Sequence, residues 1–180
     1  MIQKKKSEKV KYEIISGHRR VFALSMLKIL TVPAVIKNNM SDEDAIICMV
    51  DTNLHREKIS YREKAFAYKK KYNAMKRKSG RKNGSHVDYQ NGKKTIQLLG
   101  DSVEESSKQI QRYIKITELI PELLDLLDKG LLSFTPAEQL AYLKKDEQKM
   151  FLEVMDYCQI SPSLSQAKRL KKISSEKNFQ

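Results

Sequence analysis

The chain has 180 residues, of which 40% are hydrophobic, so it is long enough to bury one or two small cores and is unlike a chain that is disordered throughout. Its 35 Lys and Arg against 22 Asp and Glu give a net charge of +13, which suits an anionic partner. Nucleic acid is the commonest such partner, and a membrane surface is the competing choice. No apolar run approaches the roughly 18 residues of a membrane span and no signal peptide opens the chain, so we expect a cytoplasmic protein with no membrane partner.

Cysteine and histidine spacing gives no sign of a metal centre. Cys48 and Cys158 are far apart in the chain, and His18, His55 and His86 share no metal-ligand spacing with them. We therefore predict neither a structural metal nor a disulfide framework.

The first forty residues alternate between strand and helix patterns. Residues 11–16 and 32–37 are short, β-branched and bounded by Gly17 or Pro33, which is typical of strands. Between them, residues 19–30 place apolar side chains at helical spacing. The sequence therefore predicts a β-α-β unit.

Two capping boxes predict the next helices. Ser41 with Asp44 three residues later marks the start of a helix that runs to about Asn53. Ser60 with Glu63 marks a longer helix that continues through alternating apolar and basic residues to about residue 78.

A basic segment follows this helix. Residues 69–94 contain ten Lys and Arg against one acidic residue, and the polar stretch 79–94 is rich in Gly, Asn and Ser without a helical period. We interpret the stretch 79–94 as a flexible basic loop that neutralises DNA phosphates, although a charge run taken alone is more often a solvated linker. The candidate phosphate contacts are Lys76, Arg77, Lys78, Arg81 and Lys82.

The segment TIQLLGDSVEESSKQIQRYI, residues 95–114, has the pattern of a helix-turn-helix. If Gly100 lies inside the first helix, Leu99 and Val103 face inward from it, while Ile110 and Tyr113 share the inward face of the second helix. The second helix then presents polar groups that bond to base edges and phosphates in the major groove. These candidate DNA-binding residues are Ser106, Ser107, Lys108, Gln111 and Arg112.

A rival register makes Gly100 the turn residue. It would force Ser106 into the core and shorten the first helix to about one turn, so we reject it. An ordinary amphipathic helix pair remains the competing interpretation of the same residues.

The remainder of the chain is predicted to be helical. Pro121 opens a helix that Gly130 closes, Pro136 opens another, and residues 147–157 and 162–173 form two more. The predicted fold class is α+β but mostly α, with a small α/β N-terminal part followed by an all-helical part. We expect three regions: residues 1–78, the loop 79–94, and a helical DNA-binding domain over 95–175 with its helix-turn-helix at 95–114.

Two polar motifs lie where predicted elements meet. Residues 16–20, SGHRR, stand where a strand leads into a helix, and unpaired backbone N–H groups there suit a phosphate. Residues 51–57, DTNLHRE, end the next helix with groups suited to a metal-bound phosphate or to a structural cap.

In this order the motifs resemble the ParB family of DNA-partition proteins. The resemblance spans roughly residues 12–173: a strand leading into G-x-R-R, a strand with V-P, a helix ending in N-L-x-R-E, a long helix and a helix-turn-helix. Residues 106–130 are most similar to ParB-like proteins of plasmids and other mobile elements.

The resemblance implies site-specific binding of a centromere-like inverted repeat in double-stranded DNA, with a homodimer and a partition ATPase as protein partners and a nucleoid or plasmid location. It also implies CTP with Mg²⁺ as a regulatory ligand. The nucleotide-binding positions that it assigns are Gly17, His18, Arg19, Arg20, Asn53 and Arg56.

The chain departs from the family pattern in two ways. Thr52 stands where the family has Glu and the neighbouring Asp51 would point about 100° away, which argues against metal-dependent hydrolysis while leaving nucleotide binding possible. We therefore predict no catalytic residue and at most weak CTPase activity. We also interpret the chain as an N-terminally truncated relative that lacks the family's C-terminal dimerisation domain. The alternative functions are a CTP-controlled switch and a transcription regulator of a mobile element.

Overall fold

The structure, a computed structural model, describes residues 2–7, 10–54, 58–80 and 94–176. These residues form three strands and nine helices, which confirms the mostly helical α+β class. In chain order they are β1 (Ile2–Ser7), β2 (Val10–Ile14), α1 (His18–Met26), β3 (Ile36–Lys37), α2 (Asp42–Leu54), α3 (Tyr61–Gly80), α4 (Thr95–Val103), α5 (Ser107–Ile116), α6 (Pro121–Asp128), α7 (Phe134–Leu140), α8 (Lys145–Cys158) and α9 (Leu164–Glu176).

The described residues divide into two compact units. The first contains the strands, α1, α2 and the part of α3 from Lys70 onward. The second contains α3 up to Lys69 and all helices from α4 to α9.

The sheet of the first unit has the order β2-β1-β3. β1 pairs antiparallel with β2 and parallel with β3, so it separates the two strands that the sequence pattern identified. The predicted β-α-β order is present as β2, α1 and β3. However, β3 is only two residues long, because residues 32–35 do not pair with β1. The basic first residues of the chain, which carry no apolar alternation, were not predicted as a strand.

Both predicted helix starts are present, and the one at Ser60 forms a complete capping box. The Ser41 hydroxyl accepts a hydrogen bond from the Asp44 backbone N–H at 3.1 Å and donates one to its carboxylate, and α2 begins at the next residue. Ser60 and Glu63 exchange reciprocal hydrogen bonds of 3.2 Å at the start of α3. These hydrogen bonds satisfy backbone N–H groups at the helix starts that would otherwise lack partners.

The second unit has a continuous aliphatic core to which α4–α7 contribute. Its largest fully buried aliphatic side chains are Leu99, Ile110, Ile116, Leu123, Leu127, Leu132 and Leu140. Pro121 occupies the first turn of α6 and Gly130 follows that helix in a left-handed conformation, as predicted. α7 begins at Phe134, two residues before the predicted Pro136, because proline is tolerated within the first turn of a helix.

None of the helices in the described ranges combines the length and the apolar character needed to cross a bilayer. The predicted loop has only its first two residues and Lys94 within the described part of the chain; residues 81–93 lie outside it.

Candidate nucleic-acid interface

The helix-turn-helix consists of α4, a three-residue turn and α5. Glu104 makes the turn with φ 57° and ψ 33°, a left-handed conformation, and its N–H bonds to the carbonyl of Gly100. The N–H of Glu105 donates to the same carbonyl at 3.1 Å. Glu104, and not Gly100, therefore turns the chain, which confirms the chosen register and excludes the rival one.

Gly100 permits the close approach of the two helices. A Cβ atom at this buried position would lie 2.6 Å from the Glu105 backbone oxygen and 3.5 Å from the Ser107 backbone nitrogen. No side chain fits there without moving the turn, so the glycine is a packing requirement of the motif.

α5 has the two faces that the sequence predicted. Ile110 and Tyr113 are buried, and Ser106 caps the helix by accepting a hydrogen bond from the Gln109 N–H at 3.1 Å. Lys108 and Gln111 are exposed on the opposite face. Side chains of Lys and Gln on the outward face of such a helix can donate to base edges and phosphates.

Arg112 is only partly exposed, because it bonds to α7. Its guanidinium donates to Glu138 at 3.2 Å and to the Thr135 hydroxyl at 3.0 Å, and lies 4.9 Å from the centre of the Phe134 ring. It also donates to Gln109 at 3.2 Å. In this arrangement Arg112 joins the second helix of the motif to α7.

A groove of about 650 Å³ runs between α5 and α7. On one side it is lined by the N-cap residue Ser106 and by Lys108 and Gln111 of α5, and the facing side is lined by Thr135, Gln139 and Tyr142. Sequence reasoning missed these three facing residues, because no local pattern signals a contact from beyond α6. Lys115 was also missed, although its spacing of four residues from Gln111 places it on the same helix face.

The turn of the motif is tied to α3. The Lys64 ammonium donates to Glu105 at 2.6 Å and lies 4.9 Å from the Tyr113 ring centre. Burial lowers the pKa of Lys64, but the hydrogen bond to Glu105 and the neighbouring charges outweigh burial, so its pKa is raised overall. Lys64 therefore stays charged and holds the turn across the physiological pH range.

The predicted phosphate contacts of the basic segment fall in two groups. Lys76, Arg77 and Lys78 are exposed on the last turns of α3, and Lys78 pairs with Asp44 at 2.7 Å. Arg81 and Lys82 lie outside the described residues.

The predicted nucleotide residues are grouped at the start of α1 and the end of α2. Gly17 adopts φ 98° before α1, no side chain caps that helix, and its first turn contains no acidic residue. His18, Arg19 and Arg20 are exposed, and within the described ranges neither arginine has a hydrogen-bond or ion-pair partner. Uncapped N–H groups next to two free arginines fit a phosphate.

At the end of α2, Asn53 is half-buried and Arg56 lies outside the described residues. Asp51 bonds to the Lys71 ammonium at 2.5 Å, and the Thr52 hydroxyl donates to the Met49 carbonyl at 2.9 Å. Both side chains are thus occupied within the protein. No cluster of three metal-ligating side chains was found among the described residues.

Comparison with known proteins agrees with this architecture. Residues 2–54 match the ParB N-terminal domain. The nucleoid occlusion protein of Listeria innocua serovar 6a is 29% identical over 141 residues, which cover 78% of this chain and 43% of that protein. The nucleoid occlusion protein of Bacillus cereus strain AH187 is 44% identical over 63 residues, 35% of this chain and 21% of that protein. The chain spans less than half the length of these relatives.

The fold resembles that of the C-terminally truncated chromosome-partitioning protein ParB from Caulobacter crescentus, solved in complex with its centromeric parS site. The TM-score is 0.52 at 17% identity, over 95% of this chain and 80% of that one. The ParB-like resemblance predicted from the motifs is therefore confirmed at the level of the N-terminal domain and the fold, while the narrower plasmid branch stays a prediction.

Proposed function

We propose that this chain is a ParB-type protein that binds a specific double-stranded DNA site, with α5 lying in the major groove. The observation that carries the proposal is the exposed polar face of α5, held outward by the buried Ile110 and Tyr113 on its opposite face. The names of its relatives, nucleoid occlusion proteins, and the DNA-bound state of its structural neighbour support the same function. We place the protein with the nucleoid or a plasmid on this basis.

In this mode of binding, the candidate residues contact different parts of the DNA. Lys108 and Gln111 contact base edges, while the helix start at Ser106 and Ser107 contacts a phosphate. The exposed Lys76 and Arg77 supply sequence-independent charge from α3. A homodimer on an inverted repeat follows from this mode of binding, because two-fold related reading helices match two half-sites.

The test is a selection from a random duplex library, followed by titration of the enriched duplex and a scrambled control by fluorescence anisotropy at physiological salt. We expect the enriched duplex to bind at least about 10³-fold more tightly than the scrambled one. Equal affinity for the two duplexes would refute specific recognition. If the selected sequence occurs in the source genome mainly next to promoters, the transcription regulator is favoured over partition.

We propose, as a second function, that the first unit binds CTP. Support comes from the uncapped start of α1, where Gly17, Arg19 and Arg20 would hold the phosphates. Asn53 and Arg56 would complete the site from the end of α2. Mg²⁺, when bound, would screen the phosphate charge; the pairing of Asp51 with Lys71 leaves that carboxylate a poor metal ligand, so we expect weak turnover or none.

Isothermal titration of the full chain with CTP and Mg²⁺ tests the second function. Binding that is lost in Arg20→Gln and kept in Lys28→Gln, a matched change beyond the other end of α1, is the expected result. Equal binding by both variants, or no heat from the unmodified chain, would leave DNA binding as the sole proposed activity.

A further inference from the structure

Two lysines from different helices meet on one tyrosine ring beside the groove. Lys115 of α5 places its ammonium 4.3 Å from the ring centre of Tyr142, and Lys171 of α9 places its own at 3.3 Å. The tyrosine is 45% exposed and both lysines are partly exposed, so the cluster can be reached from solvent. We refer to Lys115, Tyr142 and Lys171 as the Tyr142 cluster.

The Tyr142 cluster is continuous with the candidate reading face. Tyr142 lines the same groove as Lys108 and Gln111, and the Lys171 ammonium lies 3.4 Å from the Gln139 amide oxygen in that groove. All of these residues belong to the second unit. A ligand along the outward face of α5 would therefore pass the cluster.

The two ammonium groups of the cluster form no ion pair within the described part of the protein. No carboxylate there lies within ion-pair distance of Lys115 or Lys171. Two acidic residues that could approach the cluster have stronger partners elsewhere: Glu118, which interacts with Lys115 only at longer range, binds the Lys69 ammonium at 2.9 Å, and Glu138 binds Arg112 at 3.2 Å. The cluster thus brings two like charges together, an arrangement that a bound anion would stabilise.

We infer that the Tyr142 cluster binds a backbone phosphate of the DNA flanking the bases that α5 reads. The two ammonium groups supply the charge and, with the tyrosine hydroxyl, the hydrogen-bond donors. Contact with a phosphate fixes the position of the protein on the duplex without discriminating among sequences. The inference rests on the proposed DNA-binding function and adds α9 to the surface that carries it.

The test compares Lys115→Gln and Lys171→Gln with Lys172→Gln, a matched change at the next residue of α9 whose ammonium lies 3.8 Å from Glu176. Affinity for the selected and the scrambled duplex is titrated from low to high salt. Each cluster variant is expected to weaken both complexes alike and to reduce the slope of log K against log salt by about 0.9 for the lost phosphate contact. Lys171→Arg, which keeps the charge, should restore the slope.

Two results would overturn the inference. Cluster variants with the same affinity and salt slope as Lys172→Gln would show that Lys115 and Lys171 do not touch phosphate. A loss confined to the selected duplex, with the salt slope unchanged, would show that the cluster contributes to base recognition. Failure of the unmodified chain to bind any duplex would instead refute the proposed DNA-binding function, and this result differs from both outcomes above. Thermal melts of each variant show whether it folds.

Discussion

At the scale of single residues, Gly100 and Glu104 have different roles in the helix-turn-helix. Gly100 lets the turn pack against α4, and Glu104 adopts the left-handed conformation that redirects the chain. The sequence already indicated the glycine inside the first helix, because the rival register would have buried Ser106 and shortened that helix to about one turn. The sequence could not indicate Glu104, since a left-handed residue is usually glycine or asparagine.

Gly100→Ala should therefore destabilise the protein. Alanine normally favours a helix interior over glycine, but here its Cβ would approach the Glu105 backbone oxygen to 2.6 Å. We expect a loss of about 1–3 kcal/mol in the free energy of unfolding, the usual cost of overpacking. Urea denaturation followed by circular dichroism measures it, with the exposed Ser102→Ala as a control on the same helix. A stabilised Gly100→Ala variant would mean that the turn has another geometry.

The contacts of Arg112 could not be predicted from the sequence. Periodicity placed Arg112 on the outward face of α5, whereas the structure has it partly buried, because its partners Thr135 and Glu138, more than twenty residues away, follow from tertiary packing. Its prediction as a DNA contact has yet to be tested. The observed bonds give it a structural role in addition.

A double-mutant cycle measures that structural role. Arg112→Ala and Glu138→Ala should each lower the free energy of unfolding, and together they should cost less than the sum, with a coupling of about 0.5–3 kcal/mol. The partly buried bond of 3.2 Å between the Arg112 guanidinium and the Glu138 carboxylate is the physical reason. Strict additivity in thermal melts would show that the pair does not interact in solution.

At the scale of elements, helix ends were easier to predict than strands. Ser41, Ser60 and Pro121 are local signals, and each lies where a helix begins in the structure. β1 was missed because its sequence has several consecutive lysines and no alternation of apolar and polar residues. It forms through pairing with β2 and β3, which a local pattern does not report.

Ion pairs from α3 also hold the segment that follows α5. Lys69 donates to Glu118 at 2.9 Å and to the Thr117 hydroxyl at 2.8 Å. The hydrogen bond from Lys69 is the main reason that the pKa of Glu118 lies below its ordinary value of 4.5. A lowered carboxyl pKa stabilises the folded state above the unfolded pKa, and this stabilisation is lost as the pH falls through the folded pKa.

Glu118→Gln should therefore lower the melting temperature slightly at pH 7, and the difference from the unmodified chain should shrink as the pH falls below 4.5. We expect less than about 1 kcal/mol, because both partners are partly exposed. Calorimetric scans between neutral and acidic pH check it, with Glu153→Gln on α8 as a control of equal charge. A difference that grows on acidification would contradict the assigned pair.

At the scale of the whole molecule, charge is unevenly distributed along the chain. Residues 1–95 contain 23 Lys and Arg against 9 Asp and Glu, whereas residues 96–180 contain 12 against 13. The part that includes α5 is thus not basic overall, so each of its exposed cations supplies a larger share of its attraction to DNA phosphates. The sequence predicted this asymmetry directly, because net charge needs no knowledge of the fold.

Lys76→Gln and Arg77→Gln on α3 should therefore weaken binding to every duplex alike and flatten its salt dependence, while the ratio of specific to non-specific affinity stays unchanged. Lys149→Gln, an exposed lysine on α8, is the control of equal charge. Anisotropy titrations at several salt concentrations measure both quantities. A change in sequence preference would show that the α3 residues contact bases.

Binding sites selected from a random duplex library show whether the outward face of α5 reads DNA bases. The selection is made in parallel with the unmodified chain and with Gln111→Ala. Gln111 is exposed in the middle of that face. We expect the variant to relax the preference at one or two base positions in each half-site and to keep the preference elsewhere, with a cost of about 1–3 kcal/mol at the affected positions. Identical selected sequences for both proteins would contradict it.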